Sequence, residues 1–361
     1  VPPEDVIDRD DENDELLRLA AGGHFVRLYA PRKYGKTSLL QRVLRDAGRR
    51  EGMVPILVDL YGVLSLADVT VRVERAYARE LKGRLRARID EFLQSTGLGL
   101  SLSAMGIGAR LQLQPRADPL PALHALLDLP LRLASDGGRR ALIAFDEFQD
   151  IVKVPEMDAL IRGHIQLQGE VASYVFAGSE PSLMRELFED RSRPLYAQAV
   201  PMRLGRLAAP DIAAYVADRF RGTERGAGEA LALLLATAQG HPQRAMLLAH
   251  RLWDVVPHGE SATLRSWDDA LAAAMLEVGP ELEADWRRLT VVEQKTLRAV
   301  VAGGGSPFRT AVLERVALSK PSAQTALRNL TSRSDVEATD EGYRLVDPLF
   351  GLWIERLVRG D

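Results

Sequence analysis

The chain has no cysteine among its 361 residues. Disulfides, thiol nucleophiles and thiolate metal sites are therefore excluded, and a cytoplasmic location is expected. No apolar run reaches the roughly 18 residues that a spanning helix needs. Even residues 120–134 are interrupted by His124, Asp128 and Arg132. The six histidines include no pair at helical ligand spacing, so no zinc site is expected. There is no Gly-x-Ser-x-Gly elbow, no internal repeat and no low-complexity tract. Neither sign of charge dominates: Lys and Arg number 47 against 50 Asp and Glu, for a net charge of -3. Recruitment of nucleic acid or anionic membrane would thus need a local patch. The acidic first residues, 1–15, lack the basic and apolar segments of a signal peptide, and without an initiator Met the numbering is expected to begin inside the natural chain.

What is present is an ordinary globular composition, 46% hydrophobic and 27% charged, at a length that predicts two or three domains. Apolar spacing predicts helices over 11–21, 37–47, 67–89 and 120–134, the third with a basic face from Lys82, Arg84, Arg86 and Arg88. Short apolar runs predict strands at 25–29, 54–60, 141–145, 174–177 and 200–204. Such alternation means an α/β fold with a parallel sheet covered on both faces, filling about residues 1–205. A β-hairpin is expected as an insertion at about 98–114. From Pro210 the pattern is helical, at 212–220, 228–238, 243–255 and 267–289, and residues 206–289 are expected to form a helical lid. Thr290 and Glu293 make a capping box. Helices at 293–301, 309–316 and 321–332 follow, with strand-like pieces at 336–339 and 343–346, so residues 290–361 are read as a winged helix-turn-helix domain.

Between the first strand and its helix stands Ala30-Pro31-Arg32-Lys33-Tyr34-Gly35-Lys36-Thr37, followed by Ser38. A strand–loop–helix of this kind turns backbone amides toward phosphates. Lys36 is expected to reach the β- and γ-phosphates of ATP, and the Thr37 hydroxyl to bind Mg²⁺. Ala30 replaces the usual first glycine and would resist a positive φ. Read alone, Gly-Lys-Thr also fits a simple helix-opening turn. The second motif is Ala141-Leu142-Ile143-Ala144-Phe145-Asp146-Glu147, an apolar strand ending in two acids. Buried carboxylates there need a cation or donors. Because side chains alternate along a strand, Asp146 is expected to orient the Mg²⁺ shell and Glu147 to polarise the attacking water. A third strand ends at Ser179, which either bonds the γ-phosphate or lytic water or is an ordinary turn residue.

With these pieces in order, the chain resembles the archaeal-type ATPase family of the STAND class of AAA+ P-loop NTPases, related to the origin-recognition initiators. The resemblance runs through Arg32 to Leu40, Phe145-Asp146-Glu147-Phe148-Gln149, Gly178-Ser179, Pro194-Leu195-Tyr196, Gly240-His241-Pro242 and Tyr343 to Phe350. It implies an AAA+ sheet order, sensor 1 at Ser179 and an adenine-side segment at Val6-Ile7-Asp8-Arg9, with Asp8 where the family has Gly. It also implies a lid motif at Pro242 near the phosphates. Arg244 stands at a sensor-2 place, with a solvated lid-helix arginine as the other reading. Ala197-Gln198 replaces the family's Gly-Arg, which leaves Arg191 and Arg193 as candidate arginine fingers.

In the last domain, Ala323, Ala326, Leu327 and Leu330 are expected to face the core, and Lys320, Gln324, Thr325 and Arg328 to face outward. Lys320, Gln324 and Arg328 are candidate contacts to duplex DNA. Glu337, Asp340 and Glu341 make the wing acidic, which suits a protein-docking or autoinhibitory role instead. Two functions follow: a slow ATPase that acts as a molecular switch, coupling nucleotide state to the winged helix; or an ATP-dependent DNA-binding protein of the replication-initiator or transposition-adaptor kind. Nucleotide-dependent homo-oligomerisation would fit either.

Overall fold

The computed structural model describes residues 9–98, 100, 102 and 118–359. The chain divides into two compact units, Val1–Ala30 with Lys36–Leu204 and Pro31–Gly35 with Gly205–Asp361. No helix among the described residues is long and apolar enough to cross a membrane.

In the first unit, α1 (Asp10–Ala21) precedes β1 (Val26–Tyr29), α2 (Lys36–Arg50), β2 (Val54–Asp59), α3 (Leu66–Glu80) and α4 (Gly83–Ser95). Then come α5 (Leu120–Leu127), α6 (Leu129–Gly137), β3 (Ala141–Asp146), a 3₁₀ helix (Phe148–Lys153), α7 (Met157–Ile165), β4 (Ala172–Gly178), α8 (Pro181–Glu189) and β5 (Val200–Arg203). The five strands are parallel, in the order β2-β3-β4-β1-β5. Every residue of β3 and β4 is buried, which is why both read as continuous apolar runs. Phe145, Tyr174 and Phe176 stack on one face with centroids 6.0–6.2 Å apart, and Phe148 and Phe188 pack onto Phe176. Pro201 sits in β5, the edge strand, where its missing N–H breaks no central ladder.

Two expected helices are each divided. The helix expected over 67–89 stops at Glu80: Leu81 is extended (φ -75, ψ 133) and Gly83 is left-handed (φ 57), so the basic residues open a separate α4. Arg86 and Arg88 there donate to the carbonyls of Leu102 and Asp136, so the basic face is partly engaged within the unit. The helix expected over 120–134 divides at Asp128, because Pro130 has no N–H to return to the preceding turn. The 3₁₀ helix, α7 and α8 have no counterpart in the sequence expectations. The insertion expected at about 98–114 lies outside the described residues apart from Leu98, Leu100 and Leu102, as do Val6, Ile7 and Asp8. Leu100 and Leu102 are buried in the core.

The second unit contains α9 (Ala209–Arg221), α10 (Ala230–Ala238), α11 (Pro242–Val255) and α12 (Leu264–Arg288), then α13 (Val291–Ala302), α14 (Thr310–Arg315) and α15 (Lys320–Ser332). The strands β6 (Val336–Thr339) and β7 (Gly342–Leu345) pair antiparallel, and α16 (Pro348–Arg359), absent from the expectations, follows. The Thr290–Glu293 capping box opens α13: Thr290 N donates to Glu293 Oε2 at 2.9 Å and Glu293 N to Thr290 Oγ1 at 3.3 Å. Arg206 ties the segment before α9 to the hairpin, donating to Glu337 at 2.7 Å and to the carbonyls of Leu345 and Val346. Arg344 also donates to Glu337, so only Asp340 and Glu341 leave acidic charge exposed at the hairpin.

His241 caps α11: its Nδ1 accepts the Arg244 N–H at 3.3 Å, and the ring is buried. Burial lowers its pKa to about 4; nearby Asp347 opposes this, whereas Arg244 and Arg206 add to it. A folded pKa below the unfolded 6.5 means that the unfolded chain binds the extra proton first. This contribution is complete above pH 6.5 and is lost as pH falls toward 4, by about 3 kcal/mol in all. Urea melts across this window should show the loss. His241→Asn, which can cap without titrating, should flatten the pH dependence between pH 6.5 and 4.

Candidate active site

The loop between β1 and α2 is set by backbone chemistry. Lys33 (φ 69) and Gly35 (φ 83) take left-handed conformations. Ala30 does not; it is buried, and its N–H donates to Gly178 O at 3.3 Å. The conflict expected at Ala30 therefore does not arise, because the turn places its positive φ values three and five residues later. The first amides of α2 have no intrahelical acceptor, and the helix dipole favours an anion at that end.

At the start of α2, Lys36 Nζ lies 3.2 Å from Glu147 Oε1, and Thr37 Oγ1 donates to Asp146 Oδ2 at 2.5 Å. The two acids were expected on opposite sides of the strand, but both meet neighbouring residues of α2. The reason is local: Glu147, just past β3, is left-handed (φ 50, ψ 43), which turns its side chain back toward the helix. Such a conformation costs a non-glycine residue roughly 1–2 kcal/mol. The turn is held by Glu147 N donating to Asp146 Oδ1 at 3.0 Å.

Glu147 Oε2 accepts from Ser179 Oγ at 2.6 Å and from Gln149 Nε2 at 2.7 Å, and Gln149 Oε1 accepts from Ser179 N at 3.2 Å. Gln149 thus clamps the ends of β3 and β4 together. Gly178 makes room for it: a Cβ there would stand 2.7 Å from Gln149 Oε1 and 2.5 Å from Met184 Sδ. Sequence reasoning quoted Gln149 in its motif without giving it a role. Its contacts depend on the 3₁₀ turn after Glu147, which no periodicity announces.

The two carboxylates differ electrostatically. Burial raises the pKa of Asp146, and Lys36 and Thr37 only partly offset it. Burial also pushes Glu147 upward, but Lys36, Ser179 and Gln149 outweigh it and hold the pKa below the usual carboxylate value. Asp146 is the under-compensated charge, which suits a bound cation. Among the described residues no group of three or more His, Cys, Asp or Glu could hold a metal alone. Thr37 and Asp146 would supply only part of an oxygen shell, as suits Mg²⁺ completed by phosphate and water.

The other expected site residues lie as follows. Arg32 is exposed and Ser38 half-buried, while Tyr34 is buried with its ring edge-to-face on His241 at 5.0 Å. Lys33 pairs with Glu281, and Pro242 opens α11. Arg244 is fully buried and bonded to Asp347 and Glu281, so it is not a solvated lid-helix arginine. Arg9 is buried and pairs with Glu12 at 2.5 Å. Of the finger candidates, Arg191 is exposed, whereas Arg193 is held by Asp158 at 3.2 Å and by Glu186. Lys320, Gln324, Thr325 and Arg328 are exposed on α15, and Ala323, Ala326, Leu327 and Leu330 are buried.

No family model matches the chain, and no curated protein matches it. Solved structures do. A Walker-type ATPase of Pyrococcus abyssi is similar at a TM-score of 0.70 and 19% identity, over 98% of this chain and 97% of that one. The ORC2 protein of Aeropyrum pernix, solved as ADPNP–ADP complexes, is similar at a TM-score of 0.60 and 15% identity, over 100% and 96%. The ORC1 protein of the same organism, solved in complex with DNA, gives a TM-score of 0.51 and 16% identity, over 99% and 95%. At these identities the shared property is the fold, and it extends over both units of the chain.

Replacing Gln149 with Leu should leave the Ser179 N–H without its buried partner and remove one of the two donors to Glu147 Oε2. The expected cost is about 1–3 kcal/mol in urea unfolding. A variant as stable as the parent would show that the clamp does not hold the strand ends.

Proposed function

We propose that the chain binds ATP with Mg²⁺ and hydrolyses it, as an AAA+ ATPase. The carrying observation is the double pairing of the α2 start with the β3 end, Lys36 with Glu147 and Thr37 with Asp146. Lys36 would exchange Glu147 for a phosphate oxygen, and Thr37 with Asp146 would hold Mg²⁺, which when bound neutralises charge on the phosphates. Glu147, released from Lys36 but still held by Ser179 and Gln149, would orient and polarise a water. That the first structural neighbours are described as a Walker-type ATPase and a protein bound to adenine nucleotides supports this reading.

In the switch reading, residues 206–289 act as a lid and residues 290–361 as a winged helix with β6–β7 as its wing. Nucleotide state would then set the orientation of that domain, in the manner of STAND proteins. Arg244 would sense the phosphates, Arg191 would be the finger candidate left available in trans, and oligomerisation would follow nucleotide state. DNA binding is the second reading. It is favoured by the exposed Lys320, Gln324 and Arg328, by the engagement of Glu337 with two arginines, and by one neighbour having been solved with DNA.

Lys36→Ala should abolish nucleotide binding in calorimetry while the fold persists. Glu147→Gln should retain binding and lose roughly 10²- to 10⁴-fold in hydrolysis rate. Wild-type turnover by Glu147→Gln would assign the base to another residue. For DNA, Arg328→Ala should lower duplex affinity and, if it meets phosphate, reduce the salt slope by about one unit. No duplex binding at low salt with ATP present would remove that reading.

A further inference from the structure

Within the second unit, residues 206–289 and 290–361 meet along a seam that is held at three places, each by a different kind of contact. At the first, the Arg206 guanidinium spreads over both sides. It donates to Gln239 O, just past α10, at 2.9 Å. Across the seam it donates to Glu337 on β6 at 2.7 Å and to the Leu345 and Val346 carbonyls at 3.1 and 2.9 Å. The side chain is 9% exposed, so a donor that lost its partner here would find little water to replace it.

At the second place, Arg244 of α11 is fully buried and gripped by Asp347, just ahead of α16. Arg244 Nε lies 3.0 Å from Oδ1 and 2.9 Å from Oδ2, and Nη2 also donates to Oδ2. Asp347 is itself fixed by the Leu349 N–H at 3.0 Å. Burial pushes Asp347 upward, but the Arg244 hydrogen bonds and charge outweigh it and hold the pKa below the usual carboxylate value. Separating the pair would strand a buried cation. At the third place, the Trp286 ring near the end of α12 meets Phe350 and Trp353 of α16 edge-on, with centroids 6.3 and 5.9 Å apart. The short link between the two parts is covered as well. Leu289 N and Gln294 Nε2 both donate to Trp286 O, at 3.2 and 2.9 Å, and close the last turn of α12.

Parts that move against each other meet through few apolar contacts and through polar groups open to water. This seam has the opposite character. Turning one part on the other would break a buried ion pair, an aromatic cluster and the Arg206 bonds together. We infer that residues 206–289 and 290–361 move as one body, with Arg206, the Arg244–Asp347 pair and Trp286 as its ties. Any displacement of α11 then carries α15 with it. The switch reading has nucleotide state set the orientation of the last domain; this inference adds that the domain does not turn on the helices before it. The capping box at Thr290 marks a boundary in the chain and not a hinge.

The chain has no cysteine, so two can be introduced without a background. Nitroxides on Asp218→Cys of α9 and Glu314→Cys of α14, both exposed positions, report the distance between the two parts by double electron–electron resonance. The full chain should give one narrow peak. The peak should be the same without nucleotide, with Mg²⁺ and ADP, and with Mg²⁺ and a non-hydrolysable ATP analogue. Arg206→Met and Asp347→Asn should each broaden or split it. A broad or double peak in the parent, or one that moves with nucleotide, would overturn the inference. An unchanged peak in both variants, folded by circular dichroism, would overturn the assignment of these residues as the ties. Where a variant does not fold, the parent's peak decides. The inference does not rest on nucleotide binding: a parent that binds neither nucleotide but keeps the narrow peak would remove the proposed function and leave the single body standing.

Discussion

Two adjacent carboxylates at the end of a fully buried strand impose the constraint around which the first unit is arranged. Asp146 and Glu147 cannot remain ionised there unless donors come to them. The start of α2 brings Lys36 and Thr37, the end of β4 brings Ser179, and the 3₁₀ turn brings Gln149. These donors arrive from three different elements, so the position of β1 beside β4, and of β4 beside β3, is part of the site's electrostatics. The central place of β3 and β4 has the same origin. Strands buried on both faces give the rigid ends that such donors need.

Backbone strain is concentrated at the same point. The left-handed Glu147 brings two consecutive side chains to one helix end, which a regular strand would send to opposite faces. The strain is balanced locally, by the Asp146 carboxylate on the Glu147 N–H and by the Gln149 clamp. Gly178 belongs to this arrangement although it touches no charged group. Any side chain there would collide with Gln149 and Met184.

Much of this was legible from the sequence where the signal is periodic or compositional. The parallel sheet followed from alternating apolar runs, and Lys36, Thr37, Asp146 and Glu147 followed from a strand–loop–helix and an acid-tipped strand. The buried face of α15 was legible because Ala323, Ala326, Leu327 and Leu330 repeat at helical spacing. What was not legible depends on single backbone angles or on partners far apart in the chain. The breaks at Leu81 and Asp128 each rest on one or two residues, and an averaged pattern runs straight through them. Arg244 could be read as a solvated lid-helix residue because nothing near it reveals Asp347, 103 positions away. The hairpin looked more acidic than its surface is, since Glu337 pairs with Arg206, 131 positions before it.

Lys36 is already matched to a carboxylate, that of Glu147. A buried cation left without a counter-charge would destabilise the fold, so the protein supplies one from within. On the proposed function, an anionic ligand would therefore not enter a waiting positive site. It would exchange for a carboxylate, and its affinity would be the difference between two ion-pairing states rather than the sum of its own contacts. The difference depends on what becomes of the displaced acid. Glu147 would keep Ser179 and Gln149 after losing Lys36, and so would stay ordered where the proposed function needs it. The exchange would thus prepare a chemical group, because the second set of hydrogen bonds to Glu147 does not depend on Lys36.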